Sequence, residues 1–395
     1  MKGNTELRLE LTATATFGLE AVVRREIEAL GYKILKREDG RITFLGNETA
    51  IARSNLWLRC ADRVLLKMGE FEVPDFEALF QQTKGIPWEE LIPADGRFVI
   101  TGNSVKSALH SVPACQSIIK KAVAERLGEF YGVEHLEETG AEYDVRFTIL
   151  KDHATLSVDT SGQGLHKRGY RKRTVEAPIK ETLAAAMVQL SFWHSDRILA
   201  DPCCGSGTIA IEAAMIGMNI APGLNREFVS EGWHIIDGDI WKKERRAAFE
   251  EIKHDSRLMI SASDKDRHAV EAARQNALEA GVADRICFGI ADIGSLRSRI
   301  PASWTESGEG QEKNEKGGII ITNPPYGERI GDRDDIKHIY QTLRRFLDEN
   351  EKWSLFMITS DKTAEKKAAG RPADRRRKLY NGRLEVCYYQ FHGKK

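Results

Sequence analysis

Asn323-Pro324-Pro325-Tyr326 is a tetrapeptide whose residue types suit one kind of reaction. It follows the apolar run Gly318-Ile319-Ile320-Ile321-Thr322, which reads as a buried strand and so places it at a strand's carboxyl end. In open α/β sheets ligands bind at that end. Each proline lacks an N–H and disfavours the helical region in the residue before it, so Asn323 and Pro324 are held extended. Extended chain can aim the Asn323 side chain and the Pro324 carbonyl at one planar amino group. Tyr326 then offers a ring on which a flat base or amide can stack. A proline-stiffened turn would carry the same letters, so the rest of the chain must decide.

A second motif lies upstream. Arg197-Ile198-Leu199-Ala200 reads as a short strand, followed by Asp201-Pro202-Cys203-Cys204-Gly205-Ser206-Gly207-Thr208 and a helical run from Ile209 to Ile216. A glycine turn between strand and helix lets backbone approach a ligand, and the helix N-terminus favours polar groups there. Gly205 to Ala210 also satisfies the G-x-G-x-x-A dinucleotide fingerprint. That fingerprint wants an acid about 20 residues on, at a strand end. Glu227 has the spacing but not the strand, and Asp264, which ends the run Leu258 to Ser263, comes too late. A third acid, Asp292, ends Cys287 to Ala291. Four strand ends in order therefore present Asp201, Asp264, Asp292 and Asn323 along one edge of a parallel sheet.

On these residues the resemblance is to a known family. Residues from about 165 onward resemble a class I S-adenosylmethionine-dependent methyltransferase of the amino-group-methylating branch. The whole chain is similar to the THUMP-domain rRNA guanine-N2 methyltransferases, the RlmL-like group. The match is carried by Asp201 to Thr208, Asp264, Asp292 and Asn323-Pro324-Pro325-Tyr326-Gly327-Glu328-Arg329, together with His166 to Arg171 and Ala177 to Ala184. Asn-Pro-Pro-Tyr alone is shared with adenine-N6 and glutamine-N5 methylases.

The resemblance implies S-adenosylmethionine as cofactor, with Asp201, Cys203 and the Gly205 to Gly207 backbone at its methionine end. It implies Asp264 on the ribose hydroxyls and Asp292 on the adenine amino group. Asn323 and the Pro324 carbonyl would accept from a guanine N2 amino group, with Tyr326 stacked on the base. The implied partner is RNA, as 23S rRNA or a large-subunit precursor. The acceptor alternatives are adenine N6 in DNA or RNA and a protein glutamine; a non-catalytic RNA-binding protein of the same fold is the other reading.

The elements that must position these residues divide the chain in three. Over residues 1–60, alternating Leu7, Leu9 and Leu11, a helical stretch Phe17 to Leu30 and two strands about Asp39-Gly40 read as a ferredoxin-like region, with that dipeptide predicting a type I′ hairpin. Residues 61–164 read as a small α/β domain, which the resemblance assigns to THUMP, and Ser161 to Gly164 reads as a hinge. Residues 165–395 are expected to be Rossmann-like, with a mostly parallel seven-stranded sheet. A C-terminal antiparallel hairpin is predicted about Asn381-Gly382. Between cofactor turn and Asp264 lies an insertion, Gly217 to Arg257, with a predicted helix over Lys242 to His254. Pro301 to Gly317 reads as a polar surface loop.

The 395 residues carry 59 Lys and Arg against 59 Asp and Glu, so no global basic field points to nucleic acid. Local patches do: Arg168, Arg171, Lys172 and Arg173 cluster beside Tyr170 and are expected to contact RNA phosphates. A second group runs from Lys366 to Lys378. The six cysteines form no C-x-x-C and no metal spacing with histidine, so no metal is expected and the thiols suit the reducing cytoplasm. A polar, charged N-terminus and short apolar runs predict neither leader nor membrane span.

Overall fold

The computed structural model describes residues 8–173, 178–305, 317–325, 333–382 and 384–394. The chain forms two compact units. The first is residues 1–15, 24–165 and 226–247; the second is 16–23, 166–225 and 248–395.

The first unit is built on one sheet. In chain order its elements are β1 (Leu9–Ala15), α1 (Glu20–Ala29), β2 (Lys33–Glu38), β3 (Arg41–Gly46), α2 (Glu48–Trp57), β4 (Ala61–Glu72), α3 (Phe76–Lys84), β5 (Arg97–Val105), α4 (Val112–Tyr131), β6 (Glu142–Leu150) and β7 (His153–Asp159). The strands join in the order β2-β3-β1-β4-β7-β6-β5, antiparallel except for β5 beside β6. In β6 alternate residues Tyr143, Val145, Phe147 and Ile149 are buried, the period of a strand with one covered face. Asn47, Asp75 and Ser111 cap α2, α3 and α4 by accepting from the N–H three residues on. The hairpin at Asp39-Gly40 forms, but not as type I′. Only Gly40 takes a positive φ (71°), whereas that turn needs both central residues there.

The second unit comprises α5 (Glu181–Leu190), β8 (Leu199–Asp201), α6 (Thr208–Gly217), α7 (Gly238–Glu250, most of which lies in the first unit), β9 (Ile260–Asp264), α8 (Arg267–Glu279), β10 (Ile286–Ile290), α9 (Ala302–Thr305), β11 (Ile319–Thr322), α10 (Arg333–Glu349), β12 (Ser354–Thr359), α11 (Ala364–Ala368), β13 (Arg375–Asn381) and β14 (Leu384–Phe391). Its sheet runs β10-β9-β8-β11-β12-β14-β13, with the first five strands parallel and β14 antiparallel to both neighbours. All six residues of β12 and all four of β11 are buried, as central parallel strands covered on both faces must be. Strand order reverses between β8 and β11, and ligands bind outside the strand ends at such a switch point. The C-terminal hairpin starts at Arg375 and closes the sheet.

The segment between α6 and β9 contributes residues 226–247 to the first unit. Trp233 stacks on Tyr143 with centroids 5.1 Å apart, and its Nε1 donates to the Glu142 carbonyl at 3.1 Å. Ser230 Oγ donates to the Thr160 carbonyl at 2.7 Å, and Arg53 holds Glu244 through two bonds of 2.8 and 3.0 Å. The helix in this segment begins at Gly238, four residues ahead of the expected start. The loop expected from Pro301 opens with α9, and residues 306–316 lie outside the described residues.

Candidate active site

The turn after β8 is shaped by two glycines with positive φ, Gly205 (52°) and Gly207 (84°). A Cβ on Gly207 would stand 2.9 Å from that of Ala273, so glycine there also lets α6 lie close to α8. Gly207 caps α6 with no side-chain acceptor, which leaves the helix's first N–H groups directed at the turn. Gly205 N–H donates to Asp264 Oδ2 at 3.0 Å and Cys204 N–H to the Ser263 carbonyl at 2.9 Å. The end of β9 thus holds the turn that follows β8.

Asp201, Cys203, Gly205, Asp264, Asp292, Asn323 and Pro324 line one cavity of about 450 Å³, within the size range of small-molecule sites. Gly207 is not among the lining residues. The cavity's apolar wall includes Pro178, Ile179, Ala269, Ile293 and Ile339. The four strand-end residues read from the sequence therefore do meet. Tyr326, with Gly327 to Arg329, lies outside the described residues.

The acids differ in state. Asp201 is 1% exposed, and burial pushes its pKa up to about 7, against the lowering effects of the Thr322 hydroxyl and of the Cys203 N–H that donates to Oδ1. Its buried Oδ2 has the Thr322 hydroxyl beside it and no other donor among the described residues, while Asn323 Oδ1 is buried with no hydrogen-bond partner among them. Buried polar atoms in folded chains are nearly always paired, so the unpaired Asn323 Oδ1 beside this cavity marks a place where a ligand's donor belongs. Asp264 is better provided, with Oδ1 accepting from Asp266 N–H and Oδ2 from Gly205 N–H, each at 3.0 Å. Each carboxylate oxygen has two lone pairs, so both keep one acceptor site. Asp292 is held below the usual carboxylate range, chiefly by His338, whose Nε2 lies 2.8 Å from its Oδ1.

The basic block reads differently in the structure than in the sequence. Arg168 is 3% exposed and pairs with the buried Glu212 at 3.4 Å, and Tyr170 donates to the same carboxylate at 3.0 Å. Arg171 donates to the Ile179 carbonyl at 2.7 Å and to Thr208 Oγ1 at 2.8 Å, beside Glu181. Both arginines thus turn inward instead of facing solvent as free cations: Arg171 ties the Ile179 carbonyl to Thr208, the first residue of α6, and Arg168 pairs with Glu212 within α6. Only Lys172 and Arg173 of the four keep exposed side chains. Their backbone N–H groups both donate to Asn276 Oδ1, whose Nδ2 donates to the Ser206 carbonyl at 3.1 Å. In the second basic group Lys367, Arg371, Arg376 and Lys378 pair with Asp361, Asp374, Glu365 and Glu385. Sequence reasoning missed Asn276, Lys265, Asp335 and His338. Lys265 directly follows Asp264 without forming a motif with it, and the other three meet the site through partners remote in sequence. No group of metal-ligating side chains and no helix long and apolar enough to cross a membrane occurs among the described residues.

Three family models match the chain. The RMKL-like methyltransferase domain covers residues 168–390, the RlmL ferredoxin-like domain 10–65 and the THUMP domain 73–159. YpsC of Bacillus subtilis (strain 168), a protein assigned to the RNA methyltransferases, is 46% identical over 97% of this chain and 96% of its own. A ribosomal RNA large subunit methyltransferase K/L from Syntrophotalea carbinolica is 32% identical over 97% of this chain, which spans 53% of that longer protein. Among solved structures, a predicted N6-adenine-specific DNA methylase from Listeria monocytogenes str. 4b F2365 is 44% identical, with a TM-score of 0.89 over 98% of this chain and 97% of that one. SMU.472, placed among the methyltransferases and complexed with SAH, is 42% identical with a TM-score of 0.88 over 98% and 99%. On this match the chain belongs to the RMKL-like methyltransferase family, in the form that carries RlmL ferredoxin-like and THUMP domains ahead of the methyltransferase domain.

Proposed function

We propose that this protein transfers a methyl group from S-adenosylmethionine to the exocyclic N2 amino group of a guanine in large-subunit rRNA. The observation that carries the proposal is Asn323 Oδ1, buried at the end of β11 beside the cavity with no hydrogen-bond partner among the described residues. An amide oxygen left without a donor is an acceptor kept for the substrate's amine.

The residues fit the cofactor. Acids stand at the ends of β8, β9 and β10, around a cavity with apolar walls, and α6 begins with N–H groups that no side chain caps. Asp201 Oδ2 keeps an acceptor site for an ammonium group, Asp264 keeps acceptor sites for ribose hydroxyls, and Asp292 lines the cavity as acceptor for an amino group. When bound, S-adenosylmethionine supplies a methyl group already activated on a sulfonium.

What remains for the chain is positioning. A guanine N2 amine is a poor nucleophile because its lone pair is conjugated with the ring. Asn323 Oδ1 and the Pro324 carbonyl accept its two hydrogens, which draws the nitrogen toward a pyramid and frees the lone pair. Tyr326 provides the stacking face, and Lys172 and Arg173 provide phosphate contacts. Proton loss can follow methyl transfer, so no strong base is required. Presenting the base requires splaying it out of the RNA.

RNA as substrate is supported by the THUMP domain and by the names of YpsC and the K/L relative. The Listeria neighbour's name favours a second reading, adenine N6 in DNA. One assay separates them: tritiated S-adenosylmethionine with total RNA from cells lacking the protein, DNA in parallel, then nucleoside mass spectrometry. Label in N2-methylguanosine from rRNA is expected. Label in N6-methyladenine would move the acceptor, and none in any pool would leave an RNA-binding protein.

A further inference from the structure

The two oxygens of Asp292 are not equivalent. Oδ1 takes the Gly294 N–H at 2.7 Å and His338 Nε2 at 2.8 Å. Two donors fill its two lone pairs. Oδ2 has no hydrogen-bond partner among the described residues. A half-turn of the carboxylate would only exchange two chemically identical oxygens, so one is held by both donors and the other is left for a ligand.

His338 arrives from α10, forty-six positions along the chain. That helix buries Ile339, Tyr340, Leu343 and Phe346 in the core that also holds Ile320, Leu355 and Met357. Packing therefore delivers His338 to the cavity rim before it makes any polar contact. Asp335, one turn earlier on α10, pairs with Lys265 at 2.6 Å, directly after Asp264. The position opposite is also close: a Cβ on Gly294 would stand 3.0 Å from Asp292 Oδ1 and 3.8 Å from His338 Nε2.

An exposed contact of this kind is worth little as stability. Both side chains are about half exposed, at 50% and 53%. Its value lies in orientation, because an acceptor already aimed costs no reorganisation when a ligand arrives.

We infer that His338 is a positioning residue: it commits Asp292 Oδ2 to the 6-amino group of an adenine-containing ligand and so makes the cavity prefer adenine to a purine lacking that group. This rests on reading the cavity as the S-adenosylmethionine site. The test is calorimetric titration of the full chain with S-adenosylhomocysteine and with its 6-desamino analogue, which has hydrogen in place of the amino group. Wild type should favour the amino ligand. His338→Ala should weaken that ligand by roughly tenfold, the worth of one hydrogen bond to a charged group, and leave the desamino ligand unchanged. His338→Gln, whose amide still donates, should restore the preference. Equal weakening of both ligands, weakening of neither, or a wild type indifferent to the amino group would each overturn the inference alone. A wild type that bound neither ligand would remove the cofactor assignment, and the inference with it.

Discussion

Gly205 N–H donates to Asp264 Oδ2 at 3.0 Å, so the acid that ends β9 is also the anchor of the glycine turn that follows β8. One side chain shapes the turn and faces the ligand. Asp264→Ala is therefore expected to cost S-adenosylhomocysteine affinity on the order of a hundredfold, more than a single lost contact. It should also lower stability by about 1 kcal/mol, the net worth of the lost hydrogen bond from the half-buried Gly205 N–H. Calorimetry and thermal melting check the two effects; a loss of affinity with no loss of stability would separate the turn from the acid.

Asn323 makes the opposite prediction. Its Oδ1 bonds to nothing among the described residues, so Asn323→Ala should melt no lower than wild type. Methyl transfer should fall by roughly 10²-fold or more, as on removal of a preorganised polar group, with cofactor affinity unchanged. Single-turnover kinetics with saturating RNA measures this, and unchanged turnover would remove Asn323 from catalysis.

Asp201 predicts a pH dependence of definite sign. Its folded pKa is about 7 against an ordinary 3.8. The folded chain keeps a proton that the unfolded chain loses, so this group's contribution is most favourable below about pH 4 and declines as pH rises toward about 7. Asp201→Asn cannot ionise and should melt higher than wild type at about pH 8, with the difference vanishing near pH 4. Ligand binding should run the other way, since a cationic ammonium favours the ionised acid. Wild-type affinity for S-adenosylhomocysteine should rise through neutral pH with proton release, and Asp201→Asn should show neither.

Arg168 and Arg173 should part company although they lie five residues apart. Arg168→Ala leaves Glu212 buried without its cation, a change that costs about 3–5 kcal/mol in comparable pairs. Charge reversal at Lys172 and Arg173 should leave the melting temperature alone and flatten the salt dependence of RNA binding. Filter binding across a salt series distinguishes them, and an unaltered slope would leave those two side chains as a solvated face.

The strand ends were legible because apolar runs closing in Asp201, Asp264, Asp292 and Asn323 carry both period and punctuation on the letters themselves. The C-terminal hairpin was legible for the same reason. Arg168 and Arg171 were not: a run of cations shows charge but not direction, and the carboxylates that turn them inward, Glu212 and Glu181, lie on helices whose packing only the fold reveals. His338 escaped for a related cause, since one histidine in an amphipathic helix has no spacing to distinguish it. At Asp39-Gly40 the letters signalled the hairpin correctly, but the pairing, not the dipeptide, set the turn's dihedral angles.

The stacking of Trp233 on Tyr143 has a consequence for synthesis. The first unit is not a contiguous stretch of chain, and its last piece begins at Arg226, 67 positions after β7 ends at Asp159. Until that piece leaves the ribosome, the Tyr143 ring lacks its cover and the Thr160 carbonyl its Ser230 donor. A fragment cut after Leu165 freezes the protein in that unfinished condition. Anyone dissecting this enzyme for its RNA-binding half should expect a sticky, incomplete product, and should graft residues 226–247 back before judging what that half can grip.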